Sequence, residues 1–68
     1  MKPDWKDAPE WAEWLALSGL GAWVWFQKKP EPLSHVWATE GGMSMSVSAK
    51  RHNPTGWRGT LERRPEDA

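Results

Sequence analysis

Sixty-eight residues without a single cysteine set the limits: one small domain, with neither a disulfide framework nor a thiolate metal site to hold it. Nine Lys and Arg balance nine Asp and Glu, so no global charge draws the chain to nucleic acid or to an anionic membrane. The resource left for a core is seven tryptophans, Trp5, Trp11, Trp14, Trp23, Trp25, Trp37 and Trp57, each able to bury about 150–250 Å².

In chain order, residues 1–8 are polar, contain Pro3, and read as an arm pinned by Trp5. Asp7-Ala8-Pro9-Glu10 offers a helix cap, an early proline and an acid three positions after the cap, with Trp11, Trp14 and Leu15 at helical spacing. Read as a strand, the same region sets Trp14 and Ala16 on one face and Leu15 and Leu17 on the other. The preferred reading is one helical turn over 8–11, a strand over 13–17, and a turn at Ser18-Gly19-Leu20-Gly21. Gly21-Ala22-Trp23-Val24-Trp25-Phe26-Gln27 is dense in aromatic and β-branched residues and predicts a strand apolar on both faces.

Lys28-Lys29-Pro30-Glu31-Pro32 is a charged, proline-spaced connection, and Leu33 to Ala38 predicts another strand. Thr39-Glu40-Gly41-Gly42 suggests a tight hairpin. Met43, Met45, Val47 and Ala49 then alternate with Ser44, Ser46 and Ser48, which predicts a half-buried strand with its serine face toward water. Lys50 to Gly56 is a basic loop. Trp57 to Leu61 is either a short terminal strand or an irregular segment packed by Trp57 and Leu61, and Glu62 to Ala68 reads as a frayed tail. The expected fold is mainly β: one domain over 1–68 with its core in 9–61, a three- to four-stranded antiparallel meander around tryptophan, and one short N-terminal helical turn.

Catalytic constellations do not emerge from the pattern. His35 and His52 stand in separate segments without metal-ligand spacing. Glu10, Glu13, Glu31, Glu40 and Glu62 lie in polar surroundings that favour ordinary solvated acids. Ser44, Ser46 and Ser48 share one strand face with no nucleophile elbow, and Gly19-Leu20-Gly21 precedes a strand where a phosphate loop would precede a helix. The expectation is a protein that is not an enzyme and carries no cofactor. No stretch approaches the about 20 apolar residues of a membrane helix, and residues 1–7 lack the apolar core of a signal peptide, which leads to an expected cytoplasmic location.

Charge is uneven along the chain: residues 1–26 carry a net −2 and residues 27–68 a net +2. Trp57, Arg58, Arg63 and Arg64, with Lys50 and Arg51 in the preceding loop, form the candidate partner-binding group, since Trp and Arg anchor protein interfaces. The bland alternative is a packed Trp57 amid solvated charges. A second candidate surface, for single-stranded nucleic acid, combines Trp23 and Trp25 as stacking platforms with Lys28, Lys29, Lys50 and Arg51. Sugar binding by exposed tryptophans has no more specific support.

Three segments carry a family likeness: the Asp4-Trp5-Lys6-Asp7-Ala8-Pro9-Glu10 opening, the hairpin ending in Trp23-Val24-Trp25-Phe26, and the close Trp57-Arg58-Gly59-Thr60-Leu61-Glu62-Arg63-Arg64-Pro65. In these, about half of its length, the chain resembles small tryptophan-rich proteins of tailed bacteriophages and prophages. It departs from them at Ser18-Gly19-Leu20-Gly21, where the similar proteins carry a more polar turn. The resemblance implies a bacterial cytoplasm during phage growth and a non-essential accessory role, the binding of a host protein; the reading taken forward is binding of a host or viral protein, with a minor structural virion component as an alternative. It carries over no catalytic residue.

Overall fold

A computed structural model describes residues 2–47 and 56–66. The architecture is mainly β, with no helix among the described residues beyond two 3-10 turns. Strands β1 (Trp14–Leu17) and β2 (Trp23–Phe26) form the central hairpin, with Leu15 opposite Trp25 and Leu17 opposite Trp23. The turn between them closes as the glycines suggest: Ser18 N–H donates to Ala22 O at 2.8 Å and Gly21 N–H to Ser18 O at 3.0 Å. Gly21 sits at φ 90°, a conformation that side chains with a Cβ rarely adopt.

Two short strands, β3 (Glu31–Pro32) and β4 (Trp37–Ala38), pair with each other in a separate two-stranded sheet. Strand β5 (Ser44–Val47) lies against β2, and β6 (Glu62–Arg63) against β1, giving an antiparallel sheet in the order β5-β2-β1-β6. Opposed residues share a face. Leu15, Leu17, Trp23 and Trp25 therefore look to one side, where Trp5, Ala8, Trp11 and Ala12 cover them. Ala16 and Phe26 look to the other, where Trp37 covers them. Trp57 packs against both groups. Trp23, Trp25 and Trp37 are buried and the other four tryptophans are half-buried, so indole rings fill the core as the composition predicts.

Several expected boundaries shift. The helical turn forms over Trp5–Asp7 and not over 8–11, because Asp4 serves as the cap through Lys6 N–H and because Ala8, preceding Pro9, is held extended at ψ 143°. Residues 9–12 form a turn closed by Ala12 N–H on Pro9 O at 3.0 Å, which lays Trp11 and Ala12 on the sheet. The strand expected over 33–38 shrinks to Trp37–Ala38 and leaves the main sheet. Its ribbon lies across the sheet because Trp37 is buried there, with its indole Nε1 donating to Leu17 O at 2.9 Å.

Gly41 and Gly42, at φ 94° and 79°, turn the chain toward β2 instead of building a hairpin with β4, so the strand order is not a simple meander. The methionine side of the strand is not its buried side: Met43 and Met45 are 52% and 43% exposed, and of the described residues on that side Val47 alone packs on the core. β5 is an edge strand, and the N-terminal cover sits over β1 and β2. Ser48 and Ala49 lie outside the described residues.

The C-terminal segment is not frayed over 62–64. Glu62–Arg63 pairs with β1, and Arg64 N–H donates to Glu13 O at 2.8 Å. Glu62 accepts from Trp5 Nε1 and pairs with Lys2, each at 2.5 Å, which ties the two ends together. Of the two readings of 57–61, the irregular one holds: Trp57–Gly59 is a 3-10 turn entered through Gly56 at φ 71°.

Candidate functional site

Of the six residues singled out as a binding group, four are described, and they divide between two parts of the fold. Trp57 meets Trp37 edge-on, with ring centroids 5.9 Å apart, and the Arg58 guanidinium lies 4.4 Å from the Trp57 ring centroid. Arg58 Nη2 also donates to Leu33 O at 2.9 Å and Ser34 O at 3.2 Å. These contacts fasten the β3–β4 ribbon to the 3-10 turn, so Trp57 and Arg58 hold the fold together. Gly19 sits at the same junction, where a Cβ would stand 2.7 Å from His35 O and 2.9 Å from the Trp57 indole nitrogen.

Arg63 and Arg64 lie in another region, at the β6 edge. Arg64 is engaged, its Nη1 donating to Ala12 O at 3.0 Å and Glu10 O at 3.2 Å. Arg63 is exposed. Lys50 and Arg51 lie outside the described residues. The nucleic-acid arrangement fares differently: Trp23 and Trp25 are buried, so neither ring offers a face on which a base could stack. Lys28 and Lys29 are exposed, and the Lys29 ammonium stands 5.8 Å from the Trp14 ring centroid.

A different surface gathers exposed apolar groups. Beside β5, a shallow groove is lined by Ser18, Leu20, Ala22, Val24, Phe26, Val36, Trp37, Ser44 and Ser46. Its walls are the β1–β2 turn and the β3–β4 ribbon, and its floor is the Val24–Phe26 face of β2. No charged side chain lines it. Leu20 at its rim is 70% exposed, and on the opposite face of β5 stand the exposed thioethers of Met43 and Met45. Large apolar side chains left in water around one element mark interaction surfaces.

The backbone of β5 adds a second feature. Gln27 N–H donates to Met43 O at 2.9 Å, and Met43 N–H to Gln27 Oε1 at 3.0 Å, so residues 43, 45 and 47 turn their peptide groups toward β2. Ser44 and Ser46 accordingly turn theirs outward, and among the described residues no strand pairs with that edge. The period-2 methionine and serine pattern signalled this strand. Its edge position was hidden, because it depends on β5 joining β2 across the intervening ribbon.

Among the described residues no group of three His, Asp or Glu side chains is placed to hold a metal ion, and no helix is long and apolar enough to cross a membrane. Fold and site together define a small antiparallel β-domain with a sheet edge that is unpaired among the described residues and lies beside an apolar groove. The chain matches no protein-family model, no curated protein and no solved structure.

Proposed function

We propose that this chain is a phage or prophage accessory protein that works without catalysis, in the cytoplasm of a bacterial host, by binding a host or viral protein. The observation that carries the binding reading is the exposure of Leu20, Met43 and Met45 around the open β5 edge while every tryptophan is packed at least in part. Leaving these side chains in water contributes nothing to the stability of the fold. The phage attribution is supported by the resemblance carried by the segments around Trp5, Trp25 and Trp57.

Affinity capture tests this reading. The tagged chain is expected to retain a specific protein from bacterial lysate, and Leu20→Glu or Met45→Glu, both at exposed positions, to lose it while keeping the native tryptophan emission. No retained protein, with binding of single-stranded oligonucleotides that weakens steeply in salt, would overturn it.

A further inference from the structure

We infer that the partner is taken up as an extended strand on the outer edge of β5, with large apolar side chains at alternate positions entering the groove; this rests on the protein-binding reading and specifies the chemistry of its partner. Ser44 and Ser46 present peptide N–H and C=O groups outward in the spacing of a β-ladder, which an extended backbone satisfies. The run Gly41 to Val47 contains no charge and no proline, the devices by which sheet edges are usually guarded.

Side-chain parity then fixes the chemistry. A residue bonded opposite Ser44 or Ser46 shares their face, the face of Val24 and Phe26. Because serine is short, a bulky side chain at that position reaches past it onto the groove lined by Val24, Val36 and Trp37. The intervening residue of the added strand falls beside Met45, whose flexible thioether adapts to many shapes. The groove offers no counter-ion, so the entering side chains are uncharged.

A second copy of this chain fits the same edge poorly. In antiparallel self-pairing outward peptide groups meet outward peptide groups, which sets serine against serine and leaves both groove floors uncovered. Four paired residues extend only about 13 Å, too short alone to approach the about 800 Å² per partner of a stable interface. A transient strand-addition contact matches that size.

The test is nitrogen-15 NMR of the full chain titrated with short peptides in which Thr alternates with Leu, Val or Phe between terminal lysines. With free peptide tenfold above Kd, about nine-tenths of the sites fill, and amide exchange at Ser44 and Ser46 is expected to slow about tenfold. Met45 should change far less, and the Val24 and Trp37 resonances should move. Thr-only peptides, and the same peptides N-methylated at their bulky residues, should leave Ser44 and Ser46 unchanged. Unaltered exchange at both serines with every peptide overturns the proposal. So does a concentration-dependent dimer in which those amides are already protected. A cellular protein retained equally by wild type and Ser46→Lys would leave protein binding standing and remove strand addition.

Discussion

Thr60→Val isolates one hydroxyl at nearly constant volume. Thr60 Oγ1 accepts from Leu17 N–H at 2.8 Å and donates to Trp57 O at 2.7 Å, so this side chain stands where a longer β6 would have supplied backbone partners. Leu17 is 2% exposed, and valine leaves its N–H without an acceptor. A buried donor stranded in this way costs about 1–3 kcal/mol, and a value near 2 lowers Tm by about 8–16 °C in a domain of this size. Thr60→Ser, which keeps the hydroxyl and removes one methyl, should cost only about 0.8 kcal/mol. Urea unfolding followed by tryptophan emission separates the two, and faster exchange of the Leu17 amide in Thr60→Val localises the cause. Equal stability of the two variants would refute the assignment of that hydroxyl as a stand-in for a ladder bond.

Three further outcomes follow from the same contacts. Trp37→Phe should cost about 1 kcal/mol more than Trp23→Phe in urea unfolding, because the Trp37 indole donates a buried bond to Leu17 O whereas Trp23 Nε1 has no hydrogen-bond partner among the described residues. Gly19→Ala should destabilise by about 1–3 kcal/mol and shift the indole resonance of Trp57, since the new methyl meets a backbone oxygen and a ring that cannot both give way. Glu62→Gln should lose less than about 1 kcal/mol, because it removes a half-exposed ion pair with Lys2 but keeps an acceptor for the Trp5 indole. Glu62→Ala should lose more, and thermal unfolding of the pair measures the difference.

The central hairpin was legible because its information is local. Trp14 to Leu17 and Trp23 to Phe26 are short apolar runs, and the residues between them can hardly do anything but turn. The strand character of Ser44–Val47 was equally plain from alternation, yet its burial was not, since alternation records a period and not which neighbour covers a face. The two-residue ribbon of Glu31–Pro32 with Trp37–Ala38 was hidden by its prolines, which argue against a ladder but permit one short pairing at an edge. β6 was hidden for the opposite reason. Glu62 and Arg63 have no strand propensity, and their pairing is driven by distant partners: Trp5 and Lys2 on Glu62, and Glu13 O on the Arg64 amide.

The same distinction governs the candidate site. Trp57 and Arg58 have the composition of an interface anchor, but Gly19 leaves a gap that admits the Trp57 ring, and Arg58 finds carbonyl acceptors at Leu33 and Ser34. The groove beside β5 draws its lining from the β1–β2 turn, β2, the β3–β4 ribbon and β5, and no sequence window contains them together.

Indole packing in place of sulfur or metal is the claim on which the fold rests, and hydrogen exchange of the indole N–H protons, resolved ring by ring in the native chain, tests it most directly. Trp25 and Trp37 should exchange at least about tenfold more slowly than in the urea-unfolded chain. Exchange of both at the unfolded rate, in a monomer that keeps its β-sheet circular dichroism, would contradict the account.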